Sequence, residues 1–406
     1  MKLIGRLVIV FLLLTSSHWS YALTFTQKAQ IKVKNPSFLH LTENPKTNSF
    51  ELYISSFGLT GQDHISKISD LGGGLASQSI QVENFIPKIL WPNEIVEAPE
   101  SLFGPGFLLV AEGFLVPFKS NGAIELYDVA KKELRPLTKV KKGYWYHRIN
   151  FWDYNGDGRL DIITARAKKG MLGSDDAELI ALLASADPHS GDWQEVVLFK
   201  GPDVFFRLVD FNHDQKFEVI AAEFLSKKLS YYFQDQSGHW RENVIDNSIG
   251  SLFDVALADI NFDGTQDLLA TNHVSDKTAG VFSYEIPVHP SEQTWTKHIL
   301  YQGFVTSAPG IGQASPGVAK IYYPTKKRNG KPYIVVSGDG SESAHLLTPE
   351  SLDSRDWNYR HEVLFKTKGA VGELAIGDAD QNGLNEIYIP EYDQHHIEVI
   401  EPVINK

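Results

Sequence analysis

Four stretches of the chain place oxygen-bearing side chains at alternate positions, and that spacing suits the caging of a hard cation. Asp153, Asn155, Asp157 and Asp161 take positions 1, 3, 5 and 9 of a nine-residue loop, with Arg159 at position 7 offering its backbone carbonyl. Asp259, Asn261, Asp263 and Asp267 repeat the pattern, as do Asp378, Asp380, Asn382 and Glu386. In the remaining loop, Asp210, Asn212, Asp214 and Glu218, Gln215 stands where the others have Gly158, Gly264 and Gly383. Alternate spacing turns successive oxygens into one concavity, and Ca²⁺ takes about six to eight such ligands. Only oxygen is offered, which disfavours zinc or copper. Asp and Asn also form such turns without metal, by bonding their own backbone. Recurrence in register favours the ion, and the expectation is about three to four Ca²⁺ sites. Their role would be structural, because an ion that binds only the folded chain stabilises it by mass action.

The elements that position these loops are hairpins. Each loop lies between a short strand and a second apolar run, as in Phe151-Trp152 before Asp153 and Ile162-Ile163-Thr164-Ala165 after Asp161. The leading acids Asp153, Asp210, Asp259 and Asp378 are separated by 57, 49 and 119 residues, so the last gap hides one more unit. A degenerate copy fills it at Val318–Tyr323 and Pro332–Val336. Two others precede the first loop, at Phe38–Glu43 with Phe50–Ile54 and at Glu94–Glu97 with Gly106–Val110. The three degenerate copies lack the acidic row, and no metal is expected in them. The total is seven units of roughly 50–60 residues. Most units end in an aromatic-led strand, as at Trp193, Trp240, Trp295 and Trp357, whereas the last unit stops short of one. Its equivalent stands at the start, Phe25–Val33. Lending the first strand to the last unit removes the free edges of a closed ring. The predicted fold is all-β, a seven-bladed β-propeller with the N-terminal strand closing the last blade.

The hairpin motif resembles the FG-GAP and VCBS repeat family, found in the propellers of integrin alpha subunits and in many secreted bacterial proteins. The resemblance is strong in four copies, weak in three, and runs through residues 23–406. It implies four-stranded blades, with calcium in the loop between the first and second strands. It does not imply a single function.

Composition narrows the classes of function. The net charge of −12 leaves no basic footprint for nucleic acid. Lys2 and Arg6, then the apolar run Leu7–Leu14 and Ser20-Tyr21-Ala22, read as a signal peptide over residues 1–22, cleaved after Ala22. No later stretch is apolar for long enough to span a bilayer. With no cysteine and no glycosylation sequon, the expectation is a secreted or periplasmic bacterial protein.

The second strands run away from the loops, so their far ends and the starts of the first strands should ring a central mouth on the opposite face. Counting along the chain places His147, Arg148, Arg166, Arg207, Glu223, Asp254, Asn272, His273, Glu373 and Glu391 there. His273 and the pair His395-His396 invite a catalytic or metal reading, although a lone histidine is more often packing or surface. Trp145, Tyr146 and Trp152 suit packing between blades better than sugar stacking. No serine elbow, zinc-protease or phosphate-loop motif is present. The expectation is a non-enzymatic binding or adhesion module for a protein or glycan. The alternative is a polysaccharide lyase or glycoside hydrolase at the mouth, where a deep pocket with converging Arg, His and Tyr would favour the enzyme and a plugged face the binder.

Overall fold

The computed structural model describes residues 23–404 apart from 45–46, 117, 171–174 and 308–313. The predicted signal segment 1–22 lies outside the described residues. Seven antiparallel sheets of four strands each make a β-propeller. Blade 1 holds Pro36–Asn44, Ser49–Ser56, Asp63–Ile68 and Glu83–Ile89, and blade 2 holds Pro92–Glu97, Phe107–Glu112, Ile124–Asp128 and Glu133–Pro136. Blades 3, 4 and 5 begin with Trp145–Trp152, Phe206–Val209 and Leu252–Ala258, and blade 6 begins with the degenerate strand Ala319–Tyr322. Blade 7 contains Ala375–Gly377, Glu386–Glu391 and His396–Val403, and its outer strand is Thr24–Lys32 from the chain start. The closing register runs from Thr24 opposite Val403 to Lys32 opposite His396. The predicted blade count and closing strand are therefore both observed.

Burial explains why these sequences form these strands. The second strands Glu218–Glu223, Asp267–Asn272 and Glu386–Glu391 are buried at every residue. Each is covered on both faces by neighbouring blades, so its sequence reads as a continuous apolar run rather than an alternation. The outer strand Gln194–Lys200 meets solvent and is exposed at most alternate positions. The apolar core is divided into seven clusters, one at each junction between blades. The aromatic that leads an outer strand belongs to these junctions. Trp193 and Trp295 are buried, and each donates its indole N–H to a carbonyl five residues earlier, Pro188 and Pro290, at 3.1 Å. Tyr146 is fully buried and Trp145 nearly so. Their packing role is the one expected.

Two short helices were not foreseen. Leu71–Ser77 interrupts blade 1, capped by Asp70, whose carboxylate accepts the Gly73 N–H at 3.0 Å. It seats Leu71 and Leu75 in the junction of blades 7 and 1. Glu100–Phe103 lies between the first two strands of blade 2.

Candidate functional site

The four acidic loops share one backbone geometry. The first acid accepts the N–H of position 6: Gly158 to Asp153 at 2.8 Å, Gln215 to Asp210 at 3.1 Å, Gly264 to Asp259 at 3.0 Å and Gly383 to Asp378 at 3.1 Å. The last acid turns back to the N–H of position 2: Tyr154 to Asp161 at 2.9 Å, Phe211 to Glu218 at 3.0 Å, Ile260 to Asp267 at 3.0 Å and Ala379 to Glu386 at 2.8 Å. Position 3 accepts from position 5 through Asn155, Asn212, Asn261 and Asp380. Position 6 is left-handed in all four loops, at φ 85° for Gly158, 68° for Gln215, 91° for Gly264 and 94° for Gly383. Gln215 therefore keeps the turn, in a region that favours glycine.

Charge separates the loops. Asp210, Asp214 and Glu218 bring carboxylate oxygens within 4.8 Å of one another, as do Asp378, Asp380 and Glu386. In the first loop Arg159 turns its guanidinium back onto Asp157 at 2.9 Å. In blade 7, Lys28 from the closing strand reaches in. Its Nζ lies 2.6 Å from Asp380 and 3.2 Å from Glu386, and it also contacts Glu401. Lys326 adds a contact to Asp378 at 3.5 Å. The oxygen-only donor sets of the four loops fit a hard divalent ion, and in the loops of blades 4 and 7 the carboxylate oxygens already converge within 4.8 Å. In blade 7, however, an ammonium already stands against those oxygens.

The opposite end of the inner strands carries a different arrangement. Asp153 lies five residues beyond Arg148, or roughly 16 Å along an extended strand. Arg148 donates to Glu373 at 2.8 Å and to Glu94 at 3.3 Å, and Lys320 donates to Glu373 at 2.6 Å. Asp254 accepts the Ala319 N–H at 3.1 Å, and the Arg148 guanidinium lies 3.7 Å from the centre of the Phe205 ring. Residues from blades 2, 3, 6 and 7 thus meet on the ring axis. Burial alone would push the Glu373 carboxyl up, but Arg148 and Lys320 hold it below the usual carboxylate range. Burial raises Asp254 despite the nearby Arg207. Arg148 is the extra residue of a β-bulge between His147 and Ile149, at φ 48°. The bulge turns its side chain to the axis.

The other predicted mouth residues are placed differently. Arg166 is fully buried inside blade 3, donating to Glu178 at 2.6 Å and paired with Glu195 at 2.7 Å. Asn272 is a structural clasp. It donates to Ile249 O at 2.7 Å and Thr278 O at 2.8 Å and accepts from Gly280 at 2.7 Å. Glu223 accepts the Tyr232 hydroxyl at 2.7 Å. Burial takes His147 down to about 3, with Arg148 adding to the shift, so it is neutral. His273 meets Asp339 at 2.9 Å, and Glu391 contacts His396. Counting along the strand put all ten on one ring, whereas Arg166 and Asn272 turn to partners within their own blades, 3 and 5.

Sequence reasoning missed Glu94 and Lys320, whose role depends on partners far along the chain. It also missed a relay in blade 6, where Ser341 Oγ lies 2.8 Å from His345 Nε2 and His345 Nδ1 lies 3.0 Å from His361 Nε2. Burial, with His361 beside it, takes His345 down to about 3. A base for neutral pH is best served by a value near 7, well above that of His345. Two clefts open on the loop face, one of about 470 Å³ between the loops of blades 4 and 5 and one of about 270 Å³ between those of blades 3 and 4.

Residues 210–270 match the family model of the FG-GAP-like repeat, spanning the second and third acidic loops. No curated protein matches the chain.

Proposed function

We propose that this propeller, with its FG-GAP-like repeat, is a secreted or periplasmic binding module held rigid by calcium, which presents its mouth face to a protein or glycan. One observation carries the reading. The ring axis is closed by the Arg148–Glu94–Glu373–Lys320 network, so the mouth offers a surface with compensated charges rather than a pocket of free acids and bases. A lyase or hydrolase centred on that axis would first have to break buried ion pairs, at about 3–5 kcal/mol for each broken pair.

The rim over blades 1 and 2 is the candidate contact surface. Phe57, Trp91 and Phe114 stack in series at 4.4 and 4.8 Å between ring centres. Lys119 ties the two loops together through Gly58 O at 2.6 Å and Asp63 at 2.5 Å. Beside these joined residues, Phe118 is 98% and Leu59 74% exposed. Exposed apolar side chains on a rigid base mark contact surfaces. Among the described residues no helix is long and apolar enough to cross a membrane.

A glycan and polysaccharide array, scored for binding and for product, with and without Ca²⁺, tests this reading. The expected result is calcium-dependent retention without product, weakened at least tenfold by Phe118→Ser with Leu59→Ser. Released oligosaccharide or an unsaturated product would establish the enzyme instead. Retention that ignores the rim variants would place the contact elsewhere.

A further inference from the structure

Blade 7 carries a second cluster of potential ligands at the end remote from its acidic loop. Glu391 ends the second strand and His396 begins the third, directly opposite each other in register. Glu398 lies two residues beyond His396, on the same face of its strand. One ligand atom from each of the three lies within 4.8 Å of the others. Glu391 and Glu398 are each 3% exposed, while the His396 side chain is 19% exposed and faces the way in.

The imidazole is oriented as a ligand would be. His396 Nδ1 lies 3.0 Å from the Gln394 carbonyl oxygen, which can only accept, so Nδ1 carries the proton. In the neutral ring Nε2 then presents a lone pair. That nitrogen is in contact with Glu391 Oε1, yet this buried oxygen has no partner in hydrogen-bonding geometry. A lone pair facing a carboxylate oxygen repels it unless a proton or a metal ion is shared between them. Gln30 of the closing strand, opposite Glu398, donates to its other oxygen at 3.4 Å. Lys32 lies in register beside His396 but is exposed and makes no ion pair among the described residues. Two carboxylates, each 3% exposed, thus share one small space with the imidazole, and no lysine or arginine is paired with either among the described residues.

We propose that Glu391, His396 and Glu398 bind a first-row divalent metal of the zinc class, at a site separate from the acidic loops. One nitrogen and two carboxylate oxygens suit zinc, whereas calcium prefers oxygen alone. The backbone carbonyl on Nδ1 supplies the second-shell bond that ligating histidines make. Because the ligands lie on the second and third strands of blade 7, and Gln30 of the closing strand bonds Glu398, bound metal would brace the sheet beside the closing strand.

The test uses the full chain, stripped with chelator and dialysed against Zn²⁺ in excess Ca²⁺, so that the loops are filled. Metal content is read by mass spectrometry. The wild type should retain one zinc per chain more than His396→Gln and Glu398→Gln, with calcium content unchanged. Zinc should also abolish the pH titration of the His396 ring in nuclear magnetic resonance. His396 is partly exposed, so its variant keeps the test valid should Glu398→Gln fold poorly. Equal zinc content in all three proteins would overturn the proposal. So would a His396 ring that titrates as an imidazolium paired with Glu391 while zinc is present.

Discussion

The two ends of the inner strands treat charge in opposite ways. At the loop end, blades 3, 4 and 5 gather carboxylates that accept chiefly from backbone N–H groups, with Arg159 on Asp157 in blade 3. At the mouth end, Arg148 and Lys320 stand against Glu94 and Glu373 within the protein itself. A buried carboxylate needs a positive counterpart, because desolvation otherwise forbids its charge. Two sources of that counterpart are present in the fold, and the proposed ion would be a third. The mouth uses basic side chains, and blade 7 borrows the same device for its loop through Lys28. On the proposed reading, the loops of blades 4 and 5 leave the role to an ion from solution, and the blade 3 loop does so in part, since Arg159 already pairs with Asp157. Blade 2 uses protons: Glu112 is pushed up to about 8 by burial and by Glu125, itself raised to about 7 by burial.

Calcium withdrawal should give the largest effect. Each loop that binds the folded chain alone adds about 2.7 kcal/mol at a hundredfold excess of ion over Kd. Three such loops sum to about 8 kcal/mol, so chelator should lower the melting temperature by many degrees and Ca²⁺ should restore it. A melting curve indifferent to both would erase the distinction between the two ends.

Lys28→Met sharpens the comparison inside the loop set. Its ammonium is 16% exposed and sits among Asp380, Glu386 and Glu401. Removing one partner of such a cluster costs about 3–5 kcal/mol in chelator. With the ammonium gone, the blade 7 loop matches its relatives, and the variant should bind one more Ca²⁺ than the wild type and recover most of the loss. Unchanged calcium stoichiometry would show that Lys28 does not stand in for the ion.

Glu112→Gln probes the proton. A carboxyl raised from its ordinary 4.5 to about 8 keeps its proton in the folded chain while the unfolded chain has released its own. The folded state then binds more protons, so stability falls as pH rises from 4.5 through 8. The wild type should lose about 4 kcal/mol across that window, and Glu112→Gln should flatten the slope. Equal slopes by denaturant titration at pH 5, 7 and 9 would reassign the counterpart.

What the sequence made legible follows from how local each feature is. The acidic row and the second strand after it are contiguous, so Asp259–Asp267 announced its own hairpin. The closing strand was legible because the last unit lacked its aromatic-led partner. Arg148 could be assigned to the mouth, but its partners Glu94 and Glu373 lie 54 and 225 residues away and are joined only by the ring. Counting could set Arg166 and Asn272 at strand ends, but not their partners Glu178, Glu195 and Ile249, which the sheet pairing brings to them. Lys28 escaped notice for a similar reason. A lysine in an outer strand reads as a solvated face, and here the register shift between Gln27 and Ala29 leaves it as the extra residue, with its side chain among the blade 7 carboxylates.

The smallest expected effect separates backbone from charge within the loops. Gln215 and Gly264 hold equivalent left-handed positions, at φ 68° and 91°. A residue with a Cβ in that region costs about 1–2 kcal/mol, while glycine gives back about 0.5–1 kcal/mol of unfolded-chain entropy. Gly264→Ala should therefore destabilise the chain by about 1 kcal/mol, and Gln215→Gly should stabilise it by less than that. Nothing lies within 4 Å of a Cβ built at Gly264, so the change acts through the backbone alone. If the loops are cages that keep this turn when filled, Gly264→Ala should leave calcium affinity unchanged, because the same strain is carried by the empty and the filled loop and cancels. Measured by calorimetry with and without Ca²⁺, a penalty that disappears when the ion is added would mean that the ion reshapes this turn. The four loops would then share their geometry only in its absence.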